Sequence, residues 1–143
     1  MIKKMRIPKM MISTKGRYAL RVMTQLAQSE DERLIPLKEI ANDQGISLKY
    51  LESIMSILVK NKLVEGASGK GGGYKLVRPA GGYSLGEILR ITEGNLDPVS
   101  CPAIEGQYCE KNAQCLTFPV WKELSELING FLDSKTLADI LEK

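Results

Sequence analysis

The 143-residue chain has no histidine and only three cysteines. Without an imidazole it lacks the usual general base, the usual activator of a serine or cysteine nucleophile, and one of the two common zinc donors. An odd cysteine count argues against a disulfide framework. No apolar run approaches the ~20 residues that a bilayer-spanning helix needs. The opening Met1-Ile-Lys-Lys-Met-Arg-Ile-Pro-Lys-Met10 is basic but has no apolar centre of the kind a secretion signal carries. A reducing cytoplasm is therefore the expected location. Nucleophile-elbow, nucleotide P-loop and paired-carboxylate motifs are also missing, as are repeats and low-complexity tracts, so the chain does not read as an enzyme.

What is present is an ordinary globular composition, 43% hydrophobic and 26% charged, enough for one domain with a small appendage. The net charge of +3 conceals an asymmetry. Residues 1–86 hold 15 Lys and Arg against 7 Asp and Glu, whereas residues 87–143 hold 5 against 10. A basic half joined to an acidic one suits a polyanion-binding module with an appendage.

Apolar spacing places the elements. Ser13 and Thr14 can cap a helix whose buried face is Ala19, Leu20, Val22, Met23, Leu26 and Ala27. A short helix follows Pro36, with Leu37, Ile40 and Ala41 inward, and stops at Gly45. Ser47 caps the next helix, which runs to about Lys62 with Leu48, Leu51, Ile54, Met55 and Leu58 as its buried stripe and Lys49, Glu52, Ser53, Ser56 and Lys60 opposite. Two strand-like pieces, 63–66 and 73–77, flank the glycine-rich tract Ala67-Ser-Gly-Lys-Gly-Gly72 and read as a hairpin. Ser84 and Glu87 have capping-box spacing and open a helix ending at Gly94. Thr117 caps a helix with Pro119 in its first turn and the apolar face Val120, Trp121, Leu124, Leu127, Ile128 and Phe131, and a last short helix holds Leu137, Ala138, Ile140 and Leu141.

A short helix, a glycine turn, a second helix and a hairpin follow the order of a winged helix-turn-helix. The fold expected is mainly α with a small β-hairpin wing. In such a motif the first turns of the second helix enter the major groove. Ser47, Lys49, Tyr50, Glu52 and Ser53 are thus the candidate readers of double-stranded DNA, and Glu52 could accept from a cytosine amino group. The tract Gly69-Lys-Gly-Gly-Gly-Tyr74 lacks the Gly-Lys-Ser/Thr ending of a P-loop, and Tyr74 breaks the dinucleotide pattern Gly-x-Gly-x-x-Gly, so no nucleotide is expected. It suits a wing tip with Lys70 on a phosphate and Gly71 close to the backbone.

Cys101, Cys109 and Cys115 all fall within fifteen residues. None sits on an apolar stripe, as inert buried cysteines do, and neither gap is the two residues common in zinc sites. Thiolates held by a loop at irregular spacing suit an iron–sulfur cluster. Spacing alone leaves these three readings open.

Ile12-Ser-Thr-Lys-Gly-Arg-Tyr-Ala-Leu20, Gly45-Ile-Ser-Leu-Lys-Tyr-Leu-Glu52, Gly71-Gly-Gly-Tyr74, the three-cysteine loop and Cys115-Leu-Thr-Phe-Pro-Val-Trp121 occur in this order. Together they resemble the Rrf-two family of bacterial winged-helix regulators, and within it the iron–sulfur regulators of the IscR type, over nearly everything from Met11 onward. The resemblance implies a homodimeric transcription regulator, of the repressor kind, with a 2Fe–2S or 4Fe–4S cluster on Cys101, Cys109 and Cys115. It carries the DNA-reading role onto the helix with Tyr50, Glu52 and Ser53 and makes the helix with Trp121, Leu124, Ile128 and Phe131 a dimer interface; Lys15 completes the expected DNA-facing set. The bottom-up alternative for that face is intramolecular core. The implied division is a disordered basic arm or start-site extension at 1–11, a DNA-binding domain at 12–94, a cluster loop at 95–116, and a dimerisation helix with a short C-terminal helix at 117–143.

Two departures stand out. Phe118 occupies the position where IscR-type proteins complete the coordination with histidine, and Arg17 the position where nitric-oxide-sensing relatives use an acidic residue. Asp97, Glu105 and Glu110 are the nearby candidates for a fourth ligand. In the wing, Ser68 replaces an arginine, the commonest specific reader of guanine. Two other readings remain: the same scaffold without a cluster, sensing by thiol oxidation or a partner protein as regulators of the CymR type do, and a small electron-transfer protein, which the absent four-cysteine pattern disfavours.

Overall fold

The computed structural model describes residues 12–29, 33–99 and 115–142. It is mostly helical with one two-stranded antiparallel sheet. Helix α1 (Thr14–Ala27) begins where the Ser13 hydroxyl accepts from the Gly16 amide, and it buries Ala19, Val22, Met23 and Leu26. Helix α2 (Leu37–Gln44) ends at Gly45, whose φ of 64° lies in the left-handed region. A side chain there would cost about 1–2 kcal/mol. The turn buries Ile46 and delivers Ser47, whose hydroxyl accepts from the Tyr50 amide at 3.2 Å, to the start of α3 (Leu48–Lys60).

Leu51, Ile54, Met55 and Leu58 of α3 enter the core with α1 and α2, as the spacing predicts. Leu48 does not. It is 39% exposed. Helical side chains lean toward the N-terminus, so the first residue of α3 points past the edge of the core that its own stripe would otherwise fill.

Strands β1 (Val64–Ala67) and β2 (Gly73–Leu76) pair from Val64 with Leu76 to Ala67 with Gly73. Ile35 adds a short third piece that the sequence did not suggest, exchanging two 2.9 Å backbone hydrogen bonds with Tyr74. A Cβ on Gly73 would lie 2.4 Å from the Ile35 backbone, so glycine is what permits this approach. Tyr83, fully buried after a 3-10 turn at Ala80–Gly82, locks the wing's root. Its hydroxyl donates to the Leu63 carbonyl at 2.6 Å and accepts from the amides of Val77 and Arg78 at 2.9 Å each.

Helix α4 (Leu85–Glu93) carries half of the expected capping box. The Ser84 hydroxyl accepts from the Glu87 amide, but the Glu87 carboxylate turns to Arg78 at 2.7 Å instead of back to the Ser84 amide. A charge-assisted bond to guanidinium is stronger than one to a backbone amide. At its far end, Glu93 accepts from both the amide and the hydroxyl of Ser13, tying α4 to the start of α1.

Helix α5 (Phe118–Ser134) packs through Ile128 and Leu132 on Leu89 of α4 and on Leu96 just beyond it. Arg90 reinforces the pairing with two bonds to Asp133 and one to Asn129. Thr117 makes no capping bond, being itself in a helical conformation. The short α6 (Leu137–Leu141) starts with a full capping box, Thr136 and Asp139, which the sequence reading missed. Among the described residues no helix is long and apolar enough to cross a membrane.

Candidate nucleic-acid interface and cysteine loop

The first turns of α3 present Ser47, Lys49, Glu52 and Ser53 to solvent. Two of these hydroxyls already serve the backbone: Ser47 caps the helix, and Ser53 donates to the Tyr50 carbonyl at 2.6 Å. Lys49 and Glu52 make no ion pair among the described residues. Tyr50 is half-buried and meets Tyr18 of α1 edge to face, with ring centroids 6.0 Å apart and planes at 80°. The Arg21 guanidinium lies 5.2 Å from the Tyr18 centroid and donates to the backbone and side-chain oxygens of Gln44, the last residue of α2. Tyr18 and Arg21 therefore brace the turn that aims α3. Sequence reasoning missed both, although they lie one helical turn apart on α1, where a surface pair at that spacing is a readable signal.

The hairpin adds Lys70 and Gly71, exposed at the tip. Gly71 and Gly69 both have positive φ, and the Gly72 amide closes the tip onto the Gly69 carbonyl. Lys75 pairs across the strands with Glu65 at 3.4 Å, whereas Lys70 has no ion-pair partner among the described residues. A groove of about 420 Å³ runs between α3 and the wing, lined by Glu52, Ser56, Lys60 and Tyr74 among others. Lys15 sits half-exposed on the first turn of α1.

Of the cysteine loop, Cys101, Cys109, Glu105 and Glu110 lie outside the described residues. The two ends that are described both lead to α5. Asp97 accepts from the Ser125 hydroxyl at 3.3 Å, and Ser125 is, with Leu132, one of the two buried residues of α5. Cys115 is half-buried, with its sulfur 3.4 Å from the Thr117 hydroxyl at the foot of the helix. No three acidic or cysteine side chains converge on a metal position among the described residues. The donor chemistry fits an iron–sulfur cluster all the same, because soft thiolates are its standard ligands. Phe118 opens α5, and Arg17 is exposed and bonded to the Thr14 hydroxyl, so neither supplies a fourth donor.

The predicted face of α5 splits. Ile128 turns inward to the small core with Leu89, Leu96 and Leu132. Val120, Leu124, Leu127 and Phe131 point outward, 57%, 37%, 65% and 59% exposed. Trp121 is half-buried between the two sets. Among the described residues, these four large apolar side chains at helical spacing lack an apolar partner surface, and only the Lys135 ammonium approaches one of them, 5.7 Å from the Phe131 ring centroid. Mixed spacing of this kind reads as one broad face in the sequence and cannot say which half meets what.

Residues 12–143 match the profile of Rrf2, described as iron-dependent transcriptional regulator. The HTH-type transcriptional regulator IscR of Serratia proteamaculans is 40% identical over 132 residues, which cover 92% of this chain and 79% of that protein. Among solved structures, T. potens IscR superposes with a TM-score of 0.74 at 36% identity, covering 92% of this chain and 85% of that one. The global cysteine regulator CymR of B. subtilis superposes with a TM-score of 0.76 at 33% identity, covering 98% and 96%.

Proposed function

This chain belongs to the Rrf2 family of iron-dependent transcriptional regulators, and from that premise we propose that it is a homodimeric repressor whose operator affinity responds to an iron–sulfur cluster on Cys101, Cys109 and Cys115. Ser47, Lys49, Tyr50, Glu52 and Ser53 read the major groove, while Lys15, Lys70 and Gly71 contact phosphates. The outward stripe of α5 supports the dimer. A second copy of the same stripe is the simplest cover for it, and two-fold symmetry would set two α3 helices against half-sites about 34 Å apart.

The observation that carries the switch is the anchoring of the cysteine segment to α5 at both ends, by Asp97 on Ser125 and by Cys115 beside Thr117. A bound cluster would supply sensitivity to oxidants, to nitric oxide and to iron supply. The chain's own residues carry the signal onward. A change in the tether between Gly94 and Thr117 acts on the seat of α5 against α4, which Arg90, Asn129 and Asp133 hold. Helix α4 in turn grips α1 through Glu93 and Ser13, and α1 braces α3 through Tyr18 and Tyr50. A shift at α5 thereby reaches the angle and spacing of the two reading helices.

The likeness to CymR favours a second reading, in which the same scaffold senses through its thiols without a cluster. Anaerobic purification with an absorption spectrum and iron and sulfide analysis separates the two. A brown protein with both elements bound is expected. Colourless, zinc-loaded or metal-free protein under those conditions overturns the cluster reading.

A further inference from the structure

Leu48 is the one large apolar side chain among the solvent-facing residues at the start of α3. Its neighbours there, Ser47, Lys49, Glu52 and Ser53, are all polar. It is 39% exposed, and it is not among the side chains packed on the edge of the main core. It precedes Glu52 by one helical turn, so the two lie on the same stripe. The exposed part of the leucine forgoes the stabilisation its burial would give, and burying it against an apolar group would recover that. The major groove presents one strongly apolar feature, the C5-methyl group of thymine.

We propose that Leu48 is a specificity-determining residue that reads a thymine methyl group beside the base read by Glu52. This rests on the assignment of α3 as the reading helix. Four residues advance ~6 Å along the helix and base pairs stack 3.4 Å apart, so the thymine should lie within about two base pairs of the cytosine facing Glu52. The contact would also give the wing its own division of labour. Where Ser68 offers no guanidinium to a guanine, part of the discrimination moves to an apolar contact on α3.

The test uses the full-length protein and a duplex that it selects from a random-sequence pool. Each thymine of one half-site is then replaced singly by uracil, which removes only the methyl group, and affinity is measured at one salt concentration. Wild-type protein should lose about fourfold at one position, the value of one buried methyl group. Leu48→Ala should bind the thymine and uracil duplexes equally, while Leu48→Met, which keeps an apolar side chain, should retain most of the difference. Val59→Ala, which trims an exposed apolar residue near the end of α3, should leave the wild-type pattern unchanged, and thermal unfolding should confirm that each variant is folded. If wild-type protein shows no uracil-sensitive position, or Leu48→Ala keeps the full loss, Leu48 is not the reader. If wild-type protein selects no sequence at all, the assignment of α3 as a reading helix falls with it.

Discussion

The Tyr83 hydroxyl joins three backbone groups from two segments, the end of α3's exit at Leu63 and the strand exit at Val77 and Arg78. Tyr83→Phe should keep the packing and leave the Arg78 amide without its partner, while the Val77 amide and the Leu63 carbonyl keep only their long 3.5 Å bond to each other. The expected loss is about 1–3 kcal/mol in urea-induced unfolding. Lys49 and Lys70 make a contrasting case, since neither holds another described residue. Lys49→Gln and Lys70→Gln should leave stability within about 0.5 kcal/mol and each lower the slope of log affinity against log salt by about one. At this scale the readable features are those whose cause is local. Ser47 and Gly45 act on the few residues beside them, as Ser13 does in capping α1, and the structure places these caps as the sequence suggests; the bonds from Ser13 to the distant Glu93 had no local signal. Glu87 and Leu48 were misjudged because their fate depends on residues distant in sequence: an arginine nine positions away captures one, and the edge of the core abandons the other.

Two helix pairings decide how a signal could travel between elements. The first is α4 on α5. The Arg90 hydrogen bond holds the Asp133 carboxyl below its ordinary range. Because the folded-state value is depressed, the stabilisation is complete above the unfolded value of 3.8 and fades as pH falls through the lower folded one. Wild type and Asp133→Asn should therefore differ most near neutrality and converge below about pH 4 in acid-unfolding curves. The difference should be modest, since Asp133 is half-exposed and such pairs are screened by water. The second is the proposed pairing of α5 with its own copy. Leu127→Glu combined with Phe131→Glu should convert a dimer to a monomer by light scattering at micromolar concentration, with the helical content unchanged. Retention of the dimer would return that stripe to some other use. Periodicity revealed α5 and its apolar character but not its division, because the inward set around Ile128 and Leu132 and the outward set around Leu127 and Phe131 interleave on one helix.

At the scale of the whole molecule, the basic first part holds α3 and the wing, and the acidic remainder holds α4, the cysteine segment and α5. The order of elements, and the grouping of α3 with the hairpin, was legible because each piece has its own period, cap or glycine signal. The cysteine segment has none of these, so the sequence supplies candidate donors without their arrangement, and two of its three cysteines lie outside the described residues. What the structure adds is a continuous path from Cys115 through α5, α4 and α1 to Tyr50 on α3. The account stands on coupling between the two ends of that path, and the most direct measurement is duplex affinity for one anaerobic preparation, before and after removal of its iron and sulfide. The account predicts that the two forms differ by about fivefold or more, the usual range for coupled sites, and that the difference disappears in a Cys101→Ser, Cys109→Ser, Cys115→Ser variant. Equal affinities for loaded and stripped wild-type protein would contradict it.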